Sequence, residues 1–187
     1  MKYNLVSSWL LIMLLFLSCN SSIENSTSSK PSSENLIAEL IDIEEKLTQV
    51  NPNNTGEVLK ISNQIESLAM KLFTQNRNDL DTVSLEFVFE CLAKTAEIHR
   101  DYNRSIDFFK RAQQLNPSSI KAPAYLHNIA RIYDHVLIDV EKASSAYEKL
   151  IKKYPNHPLS INAKLYLENA FNRSDEELLN MIKENNP

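Results

Sequence analysis

The side chains in this 187-residue sequence with the chemistry to bind a metal or move a proton are four histidines, two cysteines and a scatter of carboxylates. A zinc-type site needs imidazoles or thiolates spaced to share one face, as in H-E-x-x-H, and His99, His127, His135 and His157 fit no such spacing. Asp134-His135 and Glu44-Glu45 are titratable neighbours, but adjacent residues on a helix point in different directions, so both pairs read as solvated charge. Cys91, within Phe89-Glu90-Cys91-Leu92, has no adjacent His or Lys to draw out a thiolate and reads as a small buried hydrophobe. No serine elbow or cysteine–histidine signature occurs. The chain holds 1 glycine, which excludes the phosphate cradles G-x-x-x-x-G-K-[ST] and G-x-G-x-x-G. The expectation is no catalytic residue, no metal ligand, no cofactor and no nucleotide. A net charge of -4 argues further against a nucleic-acid surface, which needs clustered Lys and Arg.

The elements that would carry these side chains read as helices, because scarce glycine with abundant Leu, Ile, Ala, Glu and Lys disfavours hairpins and bulges. Leu36, Leu40, Ile43, Leu47 and Val50 recur at steps of four and three, and Asn51-Pro52-Asn53-Asn54 stops that helix. Val58, Ile61, Ile65, Leu68 and Leu72 repeat the pattern, with Asn54 or Thr55 as N-cap, so the two helices form an αα-hairpin. Phe89, Leu92 and Ala93 mark another helix, followed by Tyr102, Phe109, Ala112 and Pro117 in YNRSIDFFKRAQQLNP. Leu126, Ile129, Ala130 and Tyr133, then Ala143, Tyr147 and Pro155 in EKASSAYEKLIKKYP, repeat that alternation of large and small side chains. A shorter unit begins HPLSINAKLYLENA and ends with Ser174 and Glu177, a capping box ahead of Leu178, Leu179 and Ile182.

These residues and spacings resemble the tetratricopeptide repeat (TPR), a helix-turn-helix unit of about 34 residues. The resemblance covers residues 85–171 best, and KYPNHPLSINAKLYLENA looks like the small periplasmic lipoproteins of that family. Departures are Ser105 where a repeat normally has Ala, Ala96 where Tyr is common, and Leu150 at the position equivalent to Ala112. Pro117 and Pro155 lie 38 positions apart, with the extra residues placed before Pro123 and near Asp139. The resemblance implies an all-α superhelix of antiparallel hairpins over 35–187, in which Ala93, Ala130 and Ala143 seat Phe109 or Tyr147. It also implies a concave groove lined by the first helix of each unit. Carried onto this sequence, the ligand-facing positions are Glu90, Lys94 and Glu97, then His127, Asn128, Arg131 and Asp134. Some repeats grip a peptide carboxylate with Lys, Asn and Arg; Glu90 stands where one clamp Lys would be, so a mixed-charge groove is expected instead.

At the start of the chain, Lys2 precedes an apolar run, Leu5 to Leu17, too short for the roughly 20 residues that cross a bilayer. Ser18-Cys19 and the polar tract NSSIENSTSSKPSSEN follow. The pattern resembles a bacterial lipobox, with Phe16 in place of the usual Leu, and implies a signal peptide over 1–18, acylation of Cys19 and a flexible lipid-anchored tether over 19–34. Each buried CH₂ of such a lipid contributes about 0.8 kcal/mol of membrane affinity. Asn20 departs from the Asp that retains lipoproteins at the inner membrane, which points to the outer membrane, and the lack of an acidic cluster directly after Cys19 points to a domain facing the periplasm. The expected role is a non-enzymatic adaptor that holds an envelope protein or extended peptide. The alternative is a permanent structural subunit of an outer-membrane assembly or transport complex.

Overall fold

A computed structural model describes residues 31–171 and 173–185 of the chain. The expected signal peptide, Cys19 and the tether up to residue 30 lie outside the described residues. From Pro31 onward the chain forms one unit made only of helices and turns among the described residues. The helices are α1 (Ser33–Gln49), α2 (Thr55–Gln75), α3 (Thr82–Ile98), α4 (Tyr102–Leu115), α5 (Ala122–Arg131), α6 (Val140–Lys153), α7 (Pro158–Asn169) and α8 (Asp175–Asn185). Helix α1 thus begins two residues inside the tract assigned to the tether.

Short polar residues start nearly every helix, because the first backbone N–H groups of a helix have no partner within it. Side-chain oxygens of Ser32, Asn54, Asp81, Asp101 and Asp139 each accept from a backbone N–H three residues on. Of the two expected caps for α2, Asn54 serves, and its amide also donates to the Glu57 carboxylate at 2.7 Å. Before α8 the expected capping box is present: Glu177 N–H donates to Ser174 Oγ at 3.2 Å, and Ser174 N–H donates back to Glu177 Oε2 at 2.7 Å.

Each helix from α1 to α6 packs against the next in chain order, giving a repeat-like stack of hairpins. Helix α3 sits in the middle and is buried on nearly every side, with Leu85, Val88, Phe89, Cys91, Leu92, Ala93 and Ala96 all in the interior. The positions read as small seats, Ala93, Ala130 and Ala143, are fully buried. Phe73, Phe89 and Phe108 join α2, α3 and α4 in an edge-and-stack cluster with centroid separations of 5.4 to 6.4 Å. Phe109 stacks on Tyr125 at 5.9 Å, and Tyr154 of the α6 terminus donates to the Pro117 carbonyl at 2.8 Å. Fully buried aliphatic and aromatic side chains of this kind each contribute about 1.5–3 kcal/mol.

The extra length between Pro117 and Pro155 has a structural account. Helix α5 stops being α-helical at Arg131, so Tyr133 lies in a π-helical turn, Ile132–Val136, and not on the regular first helix the periodicity implied. Leu137 N–H donates to the Ile132 carbonyl at 3.0 Å, Asp139 N–H to the Tyr133 carbonyl at 2.8 Å, and Ile138 takes φ 52° between them. The α3–α4 turn is tighter. Arg100 at φ 63° donates to the Glu97 carbonyl and Asp101 to the Ala96 carbonyl, the paired bonds of a Schellman C-cap with arginine where glycine is usual.

Candidate functional site

The seven expected groove residues come from α3, α5 and the π-turn, and the structure brings most of them into interhelical pairs. Lys94 places its ammonium between two carboxylates, Glu44 of α1 at 2.9 Å and Glu90 of its own helix at 2.8 Å. Lys121, which precedes α5, reaches the other oxygen of Glu90 at 2.7 Å. Arg131 of α5 grips both oxygens of Glu97 on α3 at 2.6 and 2.8 Å. Polar side chains therefore link α1 to α3 and α3 to α5 along one side of the stack.

Glu90 is buried and not the exposed groove residue that the repeat register implied. Burial pushes its carboxyl upward, but hydrogen bonds from Lys121 and Lys94, with their charges, outweigh that and hold it below the usual glutamate value. Burial disfavours the charged form of Lys94, yet Glu90 and Glu44 together raise its pKa above the ordinary lysine value. Beneath them the Tyr125 hydroxyl is shared between Glu86 at 3.0 Å and Glu90 at 3.2 Å, and Asn116 donates to the other Glu86 oxygen at 2.8 Å. Burial, Glu90 and Glu86 raise the Tyr125 pKa far above that of a free phenol, so this tyrosine acts as a hydrogen-bond donor.

His127 and Asn128 are half-buried; the His127 ring meets Tyr147 edge-on at 6.2 Å, and the Asn128 side chain makes no hydrogen bond among the described residues. Burial first, then Arg131 and His135, lower the pKa of His127. Asp134 is neither solvated charge nor a free groove residue: its side chain is only 11% exposed and accepts from the Tyr147 hydroxyl at 3.4 Å. The π-turn rotates it inward, a departure from α periodicity that residue spacing did not signal.

A second cluster was not visible in the sequence. Ser62 Oγ lies 2.9 Å from His99 Nε2, His99 Nδ1 lies 3.0 Å from Glu66 Oε2, and Arg104 pairs with the other Glu66 oxygen. The order Ser–His–Glu matches a nucleophile, its base and the group that orients the base. Access and geometry argue against that use. Ser62 is fully buried in the middle of α2, its hydroxyl already donates to the Leu59 carbonyl at 3.0 Å, and none of the clefts described in this structure borders it. What the cluster does is clamp α2, the end of α3 and α4 together. Only the i, i+4 step from Ser62 to Glu66 lay in the sequence; the meeting with His99 is tertiary.

Cys91 is buried, and burial pushes its thiol up to about 12, so it is not a nucleophile at neutral pH. Among the described residues no group of His, Cys, Asp and Glu is placed to hold a metal ion. No described helix is long and apolar enough to cross a membrane. No family model, curated protein or solved structure matches this chain.

Proposed function

We propose that this protein is a non-enzymatic, lipid-anchored adaptor of the bacterial envelope whose TPR-like hairpins hold another envelope protein or an extended peptide. The observation that carries this reading is the side-by-side linkage of α1, α3 and α5 through Glu44–Lys94, Glu90–Lys121 and Glu97–Arg131. In a stack of hairpins the first helices share one face, and here that face presents fixed charges of both signs. Fixed, mutually paired charges suit recognition of a partner's polar groups, since they need little reordering on binding. Cys19 would supply the anchor, and confinement at the outer membrane would raise the effective concentration of the face near its partner.

A second reading, a permanent subunit docked through a terminal face, is supported by Ile161 and Leu165. These residues, one turn apart on α7, are both about half-exposed, an apolar stripe near the end of the stack. The anchor is tested by intact-mass analysis of protein from cell envelopes, where the mature chain is expected to begin at acylated Cys19 and Cys19→Ala to move it out of the membrane fraction. An unacylated terminus elsewhere would remove the anchor from the proposal.

A further inference from the structure

Beside the π-turn, five rings meet at steep angles. Tyr147 and Tyr166 stand T-shaped at 5.6 Å, His127 meets the edge of Tyr147, His135 tilts against Tyr166 at 6.3 Å, and Phe171 contacts both tyrosines at 6.2 and 5.8 Å. Four of these rings, with Asn162 and Ala163, line an open cleft of about 210 Å³ between α5, α6 and α7. Drug-sized ligands occupy roughly 300–1,000 Å³, so this space suits a head group and not a whole cofactor.

The charges around the cleft are unbalanced. The Asp134 carboxylate accepts from the Tyr147 hydroxyl at 3.4 Å, and burial, then Asp134, push Tyr166 up to about 12. Its one ion-pair partner among the described residues is His135, at 3.6 Å, which is a cation only when protonated. Arg131 is the nearby permanent cation, and Glu97 already grips it with both oxygens. Burial, then Arg131 and His135, lower the pKa of His127. The cleft thus has aromatic walls, and the carboxylate of Asp134 lies outside its lining, held against the Tyr147 hydroxyl and His135 and paired with no permanent cation among the described residues. Ring faces carry negative potential, and aromatic walls beside a shielded carboxylate favour a soft, weakly hydrated cation over a neutral group of the same shape.

We propose that the cleft between α5, α6 and α7 binds an organic ammonium ion, with Tyr166, Tyr147 and His127 as walls and Asp134, which accepts from the Tyr147 wall, as the counter-charge. A positive charge of this size is offered by a free quaternary amine, which is weakly hydrated, and by the more strongly hydrated ammonium end of a lysine on a bound protein. The site does not depend on the adaptor reading, because a free amine would bind whether or not a protein partner exists.

The test is titration of the purified full chain with choline, followed by NMR of the tyrosine ring protons, against 3,3-dimethylbutan-1-ol, the neutral analogue of the same shape. Choline is expected to give a saturable shift and to bind at least about tenfold more tightly than the alcohol. Asp134→Asn and Tyr166→Leu should each weaken choline binding about fivefold or more, with thermal melts confirming that the variants are folded. A parallel titration with N-acetyl-lysine methylamide separates the sources: tighter binding than choline assigns the cleft to a partner's lysine, weaker binding to a free quaternary amine. Equal affinity for choline and the alcohol, or no saturable response from the folded wild-type chain, overturns the proposal without needing any variant.

Discussion

Ser105 is fully buried at a position where the repeat pattern normally has alanine, and its hydroxyl has no hydrogen-bond partner among the described residues. A buried hydroxyl left unpaired costs about 1–3 kcal/mol, and serine is a poorer helix former than alanine. Ser105→Ala is therefore expected to stabilise the domain by about 1 kcal/mol, read as a higher urea midpoint with an unchanged slope. A lower midpoint would mean that the hydroxyl has a role. Glu90 makes the opposite case, since two ammonium groups and a tyrosine hydroxyl converge on its carboxylate. Its pKa is lowered in the folded chain, so its stabilising contribution is present above the ordinary glutamate value of 4.5 and is lost as pH falls through the lower folded value. Glu90→Gln should cost about 1–3 kcal/mol at pH 7, and the gap to wild type should close as pH drops below that range. Thermal melts from pH 7 to pH 3 measure this; a gap that stays constant would contradict it.

At the scale of elements, helix identity was largely legible in the sequence, because apolar steps of three and four and the capping residues act locally. Asn54, Ser174 with Glu177, and the buried alanines behave as their positions imply. The π-turn was not legible as such. The excess spacing between Pro117 and Pro155 indicated extra residues near Asp139, but nothing in IYDHVLI distinguishes a widened turn from a loop. That turn decides the site, since it moves Tyr133 off the regular helix and turns Asp134 inward. The groove residues were legible as positions and not as partners: whether Lys94 faces solvent or Glu44 depends on a helix 50 residues away. Hence reversing Lys94 and Arg131 together would break two interhelical pairs and one within α3, and would not be neutral for stability. Ile138 records the cost of the turn, a β-branched residue at φ 52° that is mostly exposed. A left-handed conformation costs a non-glycine residue about 1–2 kcal/mol, part of which glycine returns as unfolded-state entropy. Ile138→Gly should raise stability by up to about 1 kcal/mol in urea unfolding, and a loss would mean that the Ile138 side chain packs in solution.

For the whole molecule, the polar links run along α1, α3 and α5, and the ring cluster joins His127 of α5 and Tyr166 of α7 through Tyr147 of α6. The cleft of about 490 Å³ between α4, α5 and α6 is lined by Lys110, Lys142 and Lys149 together with Asp139 and Glu141. An adaptor that binds through its first helices should use the former side and leave the latter in water. Site-specific photo-crosslinking in intact cells separates them, with the reactive residue placed at Asn128 on α5 or at Lys149 on α6 and thermal melts confirming that both proteins fold. The account predicts a discrete adduct from Asn128 and none from Lys149; an adduct from Lys149 with none from Asn128 would contradict it.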